Sequence, residues 1–121
     1  MKNVLVIGST GQIGSELTRE LRRRYGNDGI VAGYIKGAEP GGELKEGGPS
    51  AEADVTNPEM IAEVVRKHKI DTIYNLAALL SVVAENKPQL AWKIGIDGLW
   101  NILEVARENK CAVFTPSSIG S

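Results

Sequence analysis

Val4-Leu5-Val6-Ile7 is a run of apolar residues with no polar alternation, and it passes without a break into Gly8-Ser9-Thr10-Gly11-Gln12-Ile13-Gly14. A strand of that composition is buried on both faces, which is the habit of parallel sheets covered by helices. Gly8, Gly11 and Gly14 stand three apart, so backbone amides can approach an anion with no Cβ in the way. The third glycine lets the next helix lie close to the strand, and that helix aims its partial positive N-terminus at a pyrophosphate. The spacing is Gly-x-x-Gly-x-x-Gly, not the commoner Gly-x-Gly-x-x-Gly, and a tight strand-to-helix turn without ligand is the competing explanation.

After the turn, Ile13, Leu17 and Leu21 recur every four residues and predict an amphipathic helix to about Tyr25, stopped by Gly26-Asn27. Arg22-Arg23-Arg24, with Arg19, reads as a solvated face near that helix's C-terminus, where positive charge suits the dipole. Ile30-Val31-Ala32, with Tyr34-Ile35 beyond Gly33, predicts a second parallel strand reached by a right-handed crossover. Gly37 to Ser50 is Gly, Pro, Glu and Lys around one leucine, so it buries no face and is expected to be a mobile loop.

A short strand is expected at Ala51 to Ala53, ending at Asp54-Val55. Thr56-Asn57-Pro58-Glu59 then offers an N-cap with an acidic residue three on and a proline in the first turn. Met60, Ile61, Val64 and Val65 make the inward stripe of the helix that starts there, with His68-Lys69 in its last turn. Asp71 to Leu76 reads as a fourth strand running into Ala77-Ala78, whose small side chains leave room for a ligand. Pro88 opens a long helix with Trp92, Ile96, Leu99, Leu103 and Ala106 as its core stripe. Trp100, Ile102 and Val105 widen the apolar surface, so this helix either meets another subunit or lies deep in the core. Cys111 to Thr115 makes a fifth strand, with Pro116-Ser117-Ser118 beyond it.

Strands alternating with helices predict an α/β chain with a Rossmann-like doubly wound parallel sheet, strand order 3-2-1-4-5. The ligand is expected above the C-terminal ends of strands one and four, where the glycine turn, the end of strand two, Asp54 and Asn75 to Ala78 converge. Composition narrows the partners. The 121 residues carry 14 Lys and Arg against 15 Asp and Glu, with no basic stripe interleaved with aromatics, so nucleic acid is not expected. No stretch reaches the length of a membrane span, and Met1-Lys2-Asn3 enters a strand directly, without the look of a signal peptide. The single cysteine, Cys111, cannot form an internal disulfide and is expected to act as a small buried hydrophobe in a cytoplasmic protein. No metal site is expected.

With these segments in hand, the chain resembles the extended short-chain dehydrogenase/reductase family, which includes nucleotide-sugar epimerases and dehydratases. Gly8 to Gly14, Lys69 to Ala78, Pro88 to Trp92, Asn101 to Ala106 and Pro116 to Gly120 are most similar to the L-threonine 3-dehydrogenases of that family. The resemblance covers the chain except Gly37 to Ala53. It implies NAD as cofactor, a small-molecule substrate (L-threonine or a nucleotide sugar) and a homodimer. By it, Gly8, Gly11, Gln12, Ile13 and Gly14 hold the pyrophosphate, Asp54 and Val55 the adenine, and Leu76, Ala77 and Ala78 the ribose and nicotinamide side. Ser118 matches the active-site hydroxyl that hydrogen-bonds the reacting oxygen, and Ser81 a substrate contact.

The chain departs from the family in three places. Tyr34 stands where an aspartate usually takes the adenosine ribose; with Lys36 nearby, this leaves NADP open beside NAD. Gly95 replaces an asparagine of the long helix, and Gly95 and Gly98 weaken that helix by about 1 kcal/mol each relative to alanine. The family's Tyr-x-x-x-Lys is missing, since Tyr25, Tyr34 and Tyr74 are followed four residues on by Gly29, Ala38 and Ala78. That lysine lowers the tyrosine pKa so that its phenolate takes the substrate proton. The chain is therefore expected to be the N-terminal portion of such an enzyme, with the catalytic pair and the substrate domain downstream. It reads first as the dinucleotide-binding part of a threonine dehydrogenase, then of a nucleotide-sugar epimerase or dehydratase. A dinucleotide-sensing module without catalysis is the third reading.

Overall fold

The computed structural model describes residues 3–9, 12–35, 41–42, 46–76 and 88–115, and of positions 12 and 88–97 it describes the backbone. In chain order the elements are β1 (Val4–Ile7), α1 (Gln12–Tyr25), β2 (Ile30–Tyr34), β3 (Ser50–Glu52), α2 (Pro58–Lys67), β4 (Thr72–Asn75), α3 (Pro88–Asn109) and β5 (Ala112–Phe114). All four strand pairings are parallel, in the order β3-β2-β1-β4-β5, as the alternation of strands and helices predicts. β1 lies at the centre, and its four residues are at most 1% exposed, which is why they read as one uninterrupted apolar run.

The sheet is covered on both sides. Val4, Val6, Ile30, Leu21 and Leu76 form one cluster, under α1. Leu5, Ile7, Val31, Ala53 and Ile73 form the other with Ile61, Val64 and Val65 of α2 and Ile102, Val105 and Ala106 of α3. Each large side chain fully buried in this way contributes roughly 1.5–3 kcal/mol.

Local chemistry sets the helix limits, in places by other residues than the spacing implies. Asn57 caps α2, accepting from Met60 N at 3.2 Å with Pro58 in the first turn. Thr56 is not the cap, because its N–H and hydroxyl both donate to Asp54 Oδ1. The inward stripe of α2 is Ile61, Val64 and Val65; Met60 is half-buried, its sulfur accepting from Asp54 N at 3.4 Å. His68 is the C-cap rather than part of the last turn, and Lys69 reverses the chain at φ 52. β3 starts one residue earlier than expected and ends at Glu52, while β4 and β5 are shorter than their apolar runs.

Three amphipathic assignments change. On α1, Ile13 is 57% exposed, and the face toward the sheet is Gly14, Thr18, Leu21 and Arg22. Arg22 is not part of a solvated face. It is 6% exposed and donates to Ile30 O at 3.3 and 3.2 Å and to Pro49 O at 2.8 Å, while burial holds its pKa below the usual guanidinium value. Arg23 and Arg24 do lie in solvent, paired with Glu20. On α3, Leu103 is exposed and does not belong to the core stripe; Gly98, Ile102, Val105 and Ala106 face the sheet.

Residues 46–49 also depart from an unanchored loop. Glu46 N donates to Gly42 O, Pro49 O accepts from Ala32 N and from Arg22, and a Cβ at Gly48 would lie 2.7 Å from Arg22 Nε.

Candidate functional site

The C-terminal ends of the strands converge on the turn after β1. Gly8 has φ 82, in the left-handed region that glycine enters without a Cβ penalty. A Cβ at Gly14 would run into the Gly8 carbonyl and lie 2.9 Å from Ser9 Cα, so the first turn of α1 is pressed onto the end of β1 as the third glycine of the series requires. Thr18 Oγ1 donates to Gly14 O at 2.7 Å and secures this contact from one turn above. α1 has no acidic residue in its first turn, so its dipole end is not neutralised there; α2, by contrast, carries Glu59.

Ser9 ties this turn to β2. It is fully buried, and both its N–H (3.0 Å) and its hydroxyl (2.8 Å) donate to Gly33 O. Gly33 is itself crowded: a Cβ there would lie 2.9 Å from Val6 O. On the other side Leu76 N donates to Ile7 O at 3.0 Å, drawing the exit of β4 beneath the turn, and Asn75 is 2% exposed.

The end of β2 meets the end of β3. Ala53 N donates to Tyr34 O at 2.7 Å, and Tyr34 stands in register with Glu52. Asp54 Oδ1 accepts from Thr56 N at 2.9 Å and Thr56 Oγ1 at 2.7 Å, closing a turn that leads into α2. Val55 is 7% exposed, and its carbonyl accepts from Asn101 Nδ2 of α3 at 2.9 Å.

Among the expected site residues, Gly8, Gln12, Ile13, Gly14, Tyr34, Asp54, Val55 and Leu76 are brought to this one edge of the sheet. The side chains of Val55 and Leu76 belong to the core, so a ligand would meet their backbone. Ile13 is a large apolar side chain left open beside the turn. Gly11, Ala77, Ala78, Ser81 and Ser118 lie outside the described residues. The periodicity does not single out Ser9 and Asn101, which hold the turn and the exit of β3 in place. A serine inside a glycine turn is the one signal available for the first; Asn101 acts only through helix packing. No group of three His, Cys, Asp or Glu side chains able to hold a metal occurs among the described residues.

A parallel sheet wound in both directions from a central strand, opening through a glycine turn into a helix, defines the Rossmann-like class. The chain belongs to the NAD-dependent epimerase/dehydratase family, which it matches over residues 4–120. It is 47% identical over 121 residues to an uncharacterized epimerase/dehydratase of Staphylococcus saprophyticus, covering all of this chain and 38% of that protein. Among solved structures it is similar to L-threonine dehydrogenase from Clostridium difficile, with TM-score 0.87, 45% identity, and coverage of 98% of this chain and 37% of that one. It is also similar to the UDP-glucose 4-epimerase of Thermus thermophilus in complex with NAD, with TM-score 0.75, 25% identity, and coverage of 89% and 34%. The chain thus spans little more than a third of the length of the relatives it matches.

Proposed function

We propose that the chain binds NAD, with the pyrophosphate over Gly8 to Gly14, as the dinucleotide-binding domain of an oxidoreductase like L-threonine 3-dehydrogenase. The observation that carries this is Gly14 of α1 seated on the Gly8 backbone at the end of β1, with no acid in the first turn of that helix. NAD bound there would supply the acceptor for a hydride leaving the carbon of a secondary alcohol. The chain's part is to hold the pyrophosphate through backbone amides, to fix the end of β2 through Ser9, and to orient the substrate hydroxyl through Ser118, with Ser81 as a substrate contact. Asp54 and Val55 border the adenine; Leu76, Ala77 and Ala78 border the nicotinamide side.

The threonine reading is favoured by 45% identity over nearly the whole chain, against 25% for the epimerase. The nucleotide-sugar reading remains the second choice, and a dinucleotide sensor the third. None of Tyr25, Tyr34 and Tyr74 has a lysine four residues on, so these 121 residues alone are expected to turn over no substrate. A homodimer through α3 and a cytoplasmic location complete the proposal. The first is supported by exposed Trp100 and Leu103, the second by a single unpaired cysteine.

Calorimetric titration of NAD tests the proposal. Gly11→Val sets a branched side chain against the pyrophosphate path and is expected to weaken binding more than tenfold, over about 1.4 kcal/mol. Equal affinities in the two proteins would overturn the assignment.

A further inference from the structure

We propose that Glu52 supplies the carboxylate for the adenosine ribose, from the strand next to the one where Tyr34 stands in its usual place. This deepens the dinucleotide reading above and rests on it. The two residues are level: Tyr34 pairs with Glu52 at the C-terminal ends of β2 and β3, on neighbouring strands about 4.8 Å apart.

They also share a face. Ala53 belongs to the cluster beneath α2 and α3, and Ala51 packs against it, so Glu52 between them points to the α1 side. On β2, Val31 belongs to that same cluster and Ile30 to the one under α1, which puts Tyr34 on the α1 side as well. This is the side from which α1 meets the glycine turn. Ser9, by binding Gly33 O twice, holds the Tyr34–Glu52 row at a fixed distance from that turn.

Among the described residues the edge has two carboxylates, and they differ in what they already do. Asp54 is engaged by both donors of Thr56. Glu52 is half-buried, and among the described residues no hydrogen bond or ion pair engages its carboxylate. A glutamate adds two methylenes of reach to a strand position one place further from the centre of the sheet. There its two oxygens accept the protons of both ribose hydroxyls, and its charge repels a 2′-phosphate. The ribose carboxylate is in this way moved sideways by one strand, and the chain prefers NAD although position 34 is a tyrosine.

The test is calorimetric titration of NAD and NADP into the wild-type chain, Glu52→Gln, Glu52→Lys, Tyr34→Asp and the double variant Tyr34→Asp/Glu52→Gln, with thermal unfolding to verify folding. Glu52→Gln is expected to weaken NAD about tenfold while leaving NADP unchanged or tighter. Glu52→Lys moves the ratio further toward NADP, and Tyr34→Asp restores the NAD preference in the Glu52→Gln background. A wild-type chain that prefers NAD with a ratio unaltered in folded Glu52→Gln and Glu52→Lys overturns the role of Glu52 and leaves the dinucleotide reading standing. A wild-type chain that binds neither dinucleotide overturns both.

Discussion

Gly98 of α3 rests directly on Val55: a Cβ at position 98 would lie 2.5 Å from Val55 Cγ2 and 2.9 Å from its Cβ. Val55 follows β3 at the rim of the site, and Asn101, one turn further along α3, donates to its carbonyl. The helix therefore grips this segment by a close approach and a hydrogen bond at once. Helix propensity alone favours alanine over glycine by about 1 kcal/mol. The contact reverses that sign, because the β-branched side chain of Val55 cannot swing clear without disturbing the core. Gly98→Ala is expected to destabilise the chain by about 1–3 kcal/mol in denaturant unfolding. Val55→Ala should recover part of the loss in the double variant. A Gly98→Ala chain as stable as wild type would show that the approach is looser than its geometry.

Arg22 supports the same rim from the other side. Its guanidinium bridges Ile30 O at the start of β2 to Pro49 O just before β3, joining the two strands that end at Tyr34 and Glu52. Arg22→Met keeps much of the apolar stem but leaves buried carbonyls without these donors, and is expected to cost about 1–3 kcal/mol. Arg22→Lys should fall short of wild type too, since an ammonium lacks the planar fork. Arg23→Ala should be nearly neutral, as that side chain lies in solvent. Chemical denaturation of the three variants decides it; equal small effects would return Arg22 to the solvated face.

What was legible in the sequence follows from how local each signal is. Val4 to Ile7 declares a central strand because burial on both faces is written in consecutive residues, and Asn57-Pro58-Glu59 declares a helix start within one turn. The strand order follows from the alternation of elements. Arg22 reads as solvated in the sequence because its fate depends on Pro49, 27 residues away, which no periodicity reports. Gly98 is a weak point by helix propensity alone, and only its contact with Val55, distant in sequence, gives the reason for it. Leu103 and Ile102 exchange core and surface because an apolar set wider than one stripe has no unique rotation on a sequence wheel. Glu52 acquires meaning only from register, since Tyr34 is its neighbour on another strand.

Cys111 offers a pH test. Its thiol donates to Ile70 O at 3.1 Å, and burial, then the charge of Asp71, raises its pKa above the ordinary 9.0. The neutral thiol is the form that donates, and burial favours that same form. Because the folded pKa lies above the unfolded one, this contribution to stability is complete below pH 9.0 and is lost as pH rises through the folded value. Unfolding free energy should therefore fall less steeply above pH 9.0 in Cys111→Ala than in wild type. Alkylation of the folded chain should also be several-fold slower than that of the unfolded chain, because the thiolate is the nucleophile. Equal labelling rates in the two states would place the sulfur in solvent.

Trp100 and Leu103 stand 64% and 45% exposed on α3, opposite the face that carries Gly98, Ile102, Val105 and Ala106. A tryptophan buries some 150–250 Å² when covered, and leaving that surface in water is a cost that a second copy of the helix would remove. An ion pair between Glu104 and Arg107 lies alongside, so the patch has a polar border of the sort that sets register between two helices. Trp100→Glu places a charge in the middle of such a contact without touching the core, so the fold should survive while association weakens. Sedimentation equilibrium is expected to find a dimer in the wild-type chain and a shift toward monomer in Trp100→Glu, at least tenfold in the dissociation constant or about 1.4 kcal/mol. Glu104→Lys, a change at the border only, should shift it less, because rim charges carry little of the affinity. A wild-type chain that sediments as a monomer at high concentration would overturn self-association through this face of α3.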